Sequence, residues 1–347
     1  MEINQLIRKN IAQMQPYSSA REEFKELDQQ MIFLDANENP YENGMNRYPD
    51  PQQKSVKQIV ADLKKVPENN ILFGNGSDEV LDLLFRAFCE PNVDNVITLP
   101  PTYGMYGVLA NLNAIENREV LLNSEFEPNI QAILNQIDEN TKIIFLCSPN
   151  NPTGNSFSDE SIVTLLKNFN GLVLLDEAYI DFSDKESWLH ELSDYPNLVI
   201  SQTLSKAYGM AGIRLGILYA SCEIIEVLNK IKPPYNINKL TQNKALERLT
   251  NYKKLSSEIA HIKRNKEELF KQLLEVNFIK KTYPSEANFI LIKVDNANKR
   301  YDQLLKKGIV VRNRSSQPLC YNCLRITIGT KEENNQLINA LKSMQNG

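Results

Sequence analysis

Two cations stand eight residues apart in Thr203–Gly216, TLSKAYGMAGIRLG, a run otherwise built of small, hydroxylated and apolar residues. Lys206 in such a setting is either solvated on a loop or partly buried with a lowered pKa. The second condition makes an amine that condenses with a carbonyl. Arg214, with a glycine two residues to either side, carries a guanidinium fork suited to phosphate oxygens. Asp176 ends the apolar run LVLLD, and Tyr179 follows three residues later. A carboxylate at that point is costly to bury unless it meets a cation or strong donors, which suits it to face a ligand that carries a proton. The stretch FGNGSDE (73–79) is half of a dinucleotide fingerprint, but Glu79 occupies the place of the third glycine and would oppose a pyrophosphate. Gly76, Ser77 and Asp78 still offer backbone N–H groups at a helix N-terminus, where a single phosphate could sit. Ordinary capping by Ser77 or Asp78 is the competing reading. SPNNPTG (148–154) is a loop or a rigid platform that presents one amide side chain.

The surrounding elements place these residues. ILF (71–73), NVITL (95–99), KIIFL (142–146), LVLLDEAY (172–179), LVISQT (198–203) and LGILYA (215–220) are short apolar runs, and helical patterns such as SDEVLDLLFRAF and SDESIVTLLKNF lie among them. Continuous apolar strands alternating with helices predict an α/β fold, a mostly parallel sheet covered on both faces. Such a sheet carries its ligand at the C-terminal ends of its strands. Residues 53–65 form an amphipathic helix with Val56, Ile59, Val60 and Leu63 as its apolar stripe. After the breaker KPP (232–234) comes a polar helical stretch over about 238–276. NFILIKV (288–294), YDQLLKKG, IVVR (309–312), LRITI (324–328) and a last amphipathic helix then predict a smaller α+β domain.

A chain of 347 residues exceeds one typical domain. With 42% hydrophobic and 24% charged residues it can bury a sizeable core, and a net charge of −4 argues against a nucleic-acid partner. MEINQLIRKN lacks the apolar region of a signal peptide, and no apolar run approaches the roughly 18 residues that cross a bilayer. The expectation is a cytoplasmic protein with no membrane partner. Cys320 and Cys323 form a CxxC without further zinc ligands in a matching pattern, so they read as structural thiols and no metal is expected.

In chain order, the GS at 76–77, Tyr103 after PPT, Asn151 in NPTG, Asp176 and Tyr179 in DEAY, Lys206 in TLSK, Arg214 and Arg325 in LRIT resemble the aminotransferase family of pyridoxal-phosphate enzymes, fold type I. The resemblance spans essentially the whole chain. It implies a seven-stranded-type sheet in a large domain (31–235), a small α+β domain (236–347) and an N-terminal arm (1–30) that contributes to the substrate site. QPYSSAREE (15–23), LDANENP (34–40), NRYPDP (46–51), VVRNRSSQP (310–318) and LRITIGT (324–330) narrow it to members that act on histidinol phosphate.

The resemblance then implies a role for each residue. Lys206 would hold pyridoxal 5'-phosphate covalently and act as the base for the proton shift. Asp176 would pair with the ring N–H, Tyr179 and Asn151 would bond the phenolate oxygen, and Tyr103 would stack on the ring. Gly76, Ser77, Asp78, Thr203, Ser205 and Arg214 would receive the cofactor phosphate, and Tyr48 would reach that of the neighbouring subunit, so a homodimer is implied. Arg325 would grip a substrate carboxylate; Tyr17, Arg312 and, shared, Arg325 would bind the substrate phosphate. The implied reaction is reversible transamination between histidinol phosphate and 2-oxoglutarate, giving imidazole-acetol phosphate and glutamate, within histidine biosynthesis. A sibling aminotransferase for aromatic or other amino acids, or a phosphate-specific decarboxylase, is the nearest competitor. A nicotinamide oxidoreductase is disfavoured by Glu79, and an inactive ligand sensor by the Lys206/Asp176 pair.

Overall fold

A computed structural model describes residues 3–17 and 32–344. The apolar runs become strands β1 (Ile71–Asn75), β2 (Asn95–Thr98), β4 (Thr141–Cys147), β5 (Leu172–Asp176), β6 (Leu198–Thr203) and β7 (Leu215–Tyr219), joined by β3 (Glu116–Glu119). They form a seven-stranded sheet in the order β1-β7-β6-β5-β4-β2-β3. β2 pairs in parallel with both β3 and β4, and β4 with β5. β5 and β6 are buried at every residue, as strands covered on both faces must be. β3, of sequence ENRE, has no apolar pattern and lies half-exposed at the sheet edge, so sequence reading passes over it.

β7 departs from the parallel pattern and runs antiparallel to both β1 and β6. The cause lies in the connection. Only residues 204–214 separate β6 from β7, with no crossover helix between them. A parallel return needs a crossover of a dozen or more residues, whereas a direct reversal does not.

The chain divides into two compact units, one combining residues up to Pro91 with Trp188–Tyr252, the other Asn92–Ser187 with Lys253 onward. In the first, the helix Ser77–Phe88 buries Val80, Leu81, Leu84, Phe85 and Phe88 and packs on β1 and β7. The helix Lys54–Lys64 buries Val56 and Val60 of the expected stripe. The polar stretch after residue 238 is two helices rather than one, Lys239–Thr250 and Tyr252–Leu273. Asn251, at φ −98° and ψ 51°, leaves the helical region and ends the first. Asn238 starts that helix by accepting the Thr241 N–H at 2.9 Å.

The second unit also holds an antiparallel sheet, β10-β11-β9-β8, made of β8 (Ile279–Thr282), β9 (Phe289–Val294), β10 (Arg312–Asn313) and β11 (Cys323–Thr327). Alternation sends Ile290, Ile292 and Val294 of β9, with Leu324 and Ile326 of β11, into a core shared with Leu269, Leu273, Leu304 and Leu341. Phe289, Leu291 and Arg325 therefore fall on the opposite face. The helix Lys331–Ser343 closes this unit, opened by a capping box in which Thr330 and Glu333 satisfy each other's backbone N–H. β10 is shorter than IVVR: only Arg312 and Asn313 pair with β11, while Val310 is exposed.

Candidate active site

In the first unit the two cations of TLSKAYGMAGIRLG share one loop. Thr203 pairs with Gly216 across β6 and β7, and the Leu204 N–H donates to the Leu215 carbonyl at 3.1 Å. Lys206 and Arg214 thus stand at the same end of the hairpin, which explains their separation. Lys206 is exposed on this loop. The loop turns back at once, with the Gly209 N–H on the Lys206 carbonyl at 3.0 Å.

The helix Ser77–Phe88 begins at the same end, after Gly76 (φ +83°), without a capping side chain on Gly76. Ser77 and Asp78 are thus its first residues rather than its caps. The Gly76 N–H donates to the carbonyls of Gly74 (2.8 Å) and Arg214 (3.0 Å), so this amide is already engaged. The contribution of Gly76 is instead its missing side chain, because a Cβ there would lie 2.5 Å from Nη2 of Arg214. Arg214 itself is left-handed (φ +57°), half-exposed, and 3.9 Å from the Asp78 carboxylate. Thr203 is buried and accepts the Ser205 N–H on its hydroxyl oxygen at 3.1 Å, which leaves its own proton to donate. Glu79 turns away: its carboxylate accepts the Asn75 N–H and the Asn236 amide, tying down the end of β1.

Gly216 lets β7 approach this turn. A Cβ on it would sit 2.4 Å from the Ser77 nitrogen and 2.5 Å from the Gly76 carbonyl carbon, both backbone atoms that cannot swing aside. Gly216→Ala is expected to destabilise the protein by about 1–3 kcal/mol through overpacking. It should also shrink the gap between denaturation midpoints with and without pyridoxal phosphate, read from urea titrations.

Elsewhere in this unit Glu38 of LDANENP accepts the Tyr48 N–H (2.6 Å) and the Arg47 guanidinium (2.8 Å), joining that motif to NRYPDP. Tyr48 is exposed and stacks on Tyr235, centroids 4.5 Å apart, beside an open cavity of about 520 Å³. Tyr17 is also exposed. Residues 18–23 of QPYSSAREE, with the rest of the arm from 18 to 30, lie outside the described residues.

In the second unit Asp176 ends β5 fully buried, opposite Cys147 of β4. Its carboxylate accepts the Tyr106 phenol at 2.7 Å and the Ala178 N–H at 3.2 Å. Burial first, and then the Asp176 charge, hold the Tyr106 phenol well above its ordinary range, so Tyr106 is the permanent donor of that pair. Tyr106 stacks on Phe145, and Tyr103 meets it edge-on at 5.5 Å. Within SPNNPTG the two asparagines divide the work. Asn150 accepts from the Thr102 hydroxyl and donates to the Pro101 carbonyl and the Thr153 hydroxyl, locking two loops together. Asn151 is buried, and its amide oxygen accepts from Arg325.

The Arg325 guanidinium lies 5.1 Å from the centroid of Phe289, a ring that Tyr179 meets edge-on at 5.2 Å. Burial pushes the Tyr179 phenol up, while Arg325 and Arg314 pull it the other way. Burial lowers the Arg325 guanidinium, and Arg312 adds to this. Arg312 stands directly opposite Arg325 across β10 and β11, and like charges so placed repel. Cys320 and Cys323 are buried free thiols, hydrogen-bonded to each other.

Sequence reading did not single out Tyr106 or Arg314. Tyr106 follows Tyr103 by one helical turn in TYGMYG, and Arg314 follows Arg312 by one strand repeat in RNR. Those spacings were the available signals.

A parallel-rich seven-stranded sheet, a lysine in a loop of small residues joining two of its inner strands, and a buried aspartate at a strand end are the arrangement of the class I and II aminotransferases. The model of that family matches residues 19–341, and the chain belongs to it. Among its relatives, the histidinol-phosphate aminotransferase of Flavobacterium johnsoniae is 69% identical over 342 residues, covering 98% of each chain. Among solved structures, the histidinol-phosphate aminotransferase of Clostridium acetobutylicum matches with a TM-score of 0.81 at 25% identity, covering 87% of this chain and 91% of its own. The enzyme of Sinorhizobium meliloti, solved with pyridoxal-5'-phosphate, gives 0.79 at 23%, covering 86% of this chain and 83% of its own. Enzymes of this family work with pyridoxal phosphate, and the residues present fit such a group. Gly76 keeps clear the space beside Arg214 that a Cβ would fill, and Asp176 offers a buried carboxylate for a protonated ring nitrogen.

Proposed function

We propose that this chain transfers an amino group between histidinol phosphate and 2-oxoglutarate, yielding imidazole-acetol phosphate and glutamate, as a step of histidine biosynthesis. The observation that carries the substrate is the opposed pair Arg312 and Arg325, a concentration of positive charge that an anionic substrate end would relieve. The 69% identical relative and its name support the same reading.

Pyridoxal phosphate, when bound, supplies an electron sink for negative charge on the substrate carbon. The phosphate of the cofactor would be held by the amides of Ser77 and Asp78, the hydroxyls of Thr203 and Ser205, and Arg214. Asp176 keeps the proton on the ring nitrogen. Asn151, its oxygen fixed by Arg325, would offer its NH₂ to the phenolate oxygen, and Tyr179 would donate there too. Tyr103 covers the ring face. Lys206 would anchor the cofactor and, as a free amine, would serve as the base that moves the proton of the substrate carbon. Arg325 grips the carboxylate of glutamate or 2-oxoglutarate, and Tyr17 and Arg312 join it for the phosphate of the other substrate. Exposed Tyr48 reaches the cofactor phosphate of a second copy in a cytoplasmic homodimer. Residues 31–235 would form the large cofactor domain and 236–347 the small one.

Purified protein mixed with pyridoxal phosphate should gain a visible absorbance band, and histidinol phosphate should convert that band to the aminated cofactor. No band at all would sink the cofactor assignment; a band that responds to glutamate but never to histidinol phosphate would sink the substrate. Arg312→Ala removes one charged hydrogen bond, worth about 1.5–3 kcal/mol. KM for histidinol phosphate should therefore rise well beyond that for glutamate, and equal rises would reject this role for Arg312.

A further inference from the structure

The β10/β11 register places a third guanidinium with the first two. Arg312 faces Arg325, and the ladder continues one residue further, where the Arg314 N–H donates to the Cys323 carbonyl at 2.9 Å. Side chains two apart on a strand share a face, and so do directly opposed ones. Arg312, Arg314 and Arg325 therefore project from one face of this sheet. That face is opposite the apolar core built on Leu324 and Ile326.

Among the described residues, no carboxylate is paired with Arg314. The groups that act on its charge are Arg325 and Arg312, which disfavour it, and Tyr179 and Cys320, which favour it only when ionised. Burial is the largest influence and brings the guanidinium down to about 10, so it stays charged at neutral pH. Its Nε is buried without a hydrogen-bond partner, as are Nε of Arg325, the Ser315 hydroxyl and the side-chain oxygen Oε1 of Gln317. Buried polar atoms are paired in nearly all native structures, so several orphans within a few residues mark a place built for a polar ligand. The ligand must be an anion, since three cations border it. A phosphate monoester, at about −1.5 to −2 near neutral pH, balances three guanidiniums better than one carboxylate does.

We propose that Arg314 is a specificity-determining residue that completes, with Arg312 and Arg325, a three-guanidinium seat for the doubly charged phosphate of the substrate. The proposal rests on the phosphate-substrate reading above. Arg325 with Asn151 forms the part of the seat that a carboxylate shares, and Arg314 adds the charge that distinguishes the dianion.

The test uses the holoenzyme, whose cofactor already fills the phosphate cradle at Ser77 and Arg214, and inorganic phosphate as the probe. In Arg314→Gln, calorimetry should show phosphate binding weakened tenfold or more, with Arg314→Lys between it and the natural protein. The tightening of phosphate binding as pH rises through its second ionisation should be shallower in Arg314→Gln. In turnover, KM for histidinol phosphate should rise at least tenfold more than KM for glutamate. Equal phosphate affinity in all three proteins, or equal rises in both KM values, would overturn the assignment. So would wild-type holoenzyme that binds no phosphate. If histidinol phosphate is not turned over at all, the functional reading fails, while the calorimetry still decides the role of Arg314. Should Arg314→Gln not fold, Arg314→Lys carries the same comparison.

Discussion

Lys206→Ala is expected to abolish transamination, with kcat down by about 10⁴-fold or more, while the fold is untouched. A positioned general base alone contributes about 10²–10⁴-fold, and the proposed function also gives this residue the anchoring of the cofactor, so both losses should fall together. Stability should hold because Lys206 is exposed on the loop after β6. Surface substitutions of this kind shift stability by about 0.5 kcal/mol or less. Two measurements separate the roles. Dialysis should strip cofactor from the variant faster than from the natural protein, since the phosphate contacts alone retain it. Added methylamine should restore part of the proton transfer, because truncation at a site flanked by Ser205 and Ala207 leaves room for a small amine. Activity within tenfold of the natural protein would remove Lys206 from the chemistry.

Much of the layout was legible because burial leaves a strong mark on composition. β1, β4, β5, β6 and β7 are continuous apolar runs, and their ends at Asp176 and Thr203 were visible as the points where that run stops. What escaped has a common physical origin. β3 (ENRE) and β8 (IKKT) are short strands held by backbone pairing rather than by an apolar face, so no periodicity announces them. The reversal of β7 is a property of the loop between residues 203 and 215, not of the strand, whose composition suits either direction. The break at Asn251 needs one residue to leave helical angles inside an otherwise helix-favouring stretch.

The site shows the same division. Lys206, Arg214, Asp176 and Asn151 stand out because each is polar in an apolar or turn-rich setting. Tyr106 does not, because an aromatic inside an amphipathic helix reads as core. Only the fold shows its hydroxyl on a carboxylate 70 residues away. Gly76 was singled out for its N–H, whereas the structure engages that N–H elsewhere and uses the absence of a side chain. Arg314 becomes visible only once the β10/β11 register assigns it to the face of Arg312 and Arg325.

Asp176→Asn should lower kcat by about 10²–10³-fold, the range found when one preorganised electrostatic contact is removed from an active site. The substitution keeps the shape of the side chain and nearly all of its packing. The Ala178 N–H still finds an oxygen, and the Tyr106 hydroxyl can rotate to accept from the new NH₂ group. Folding stability should therefore change little, in contrast to Asp176→Ala, which would leave the buried Tyr106 hydroxyl with only the weak Cys147 partner at a cost of about 1–3 kcal/mol. What the asparagine cannot supply is the negative charge that keeps a proton on the cofactor ring nitrogen. That difference has a pH signature with a fixed sign. A proton held without its counter-charge is lost at lower pH, so kcat of Asp176→Asn should fall further as pH rises, while the natural protein holds its rate over the same interval. Stopped-flow of the half-reaction with glutamate, followed at several pH values, reads this directly. A uniform loss at every pH would mean that Asp176 acts only through Tyr106, as a support for the wall beneath Tyr103. In that case Tyr106→Phe alone should reproduce the whole defect.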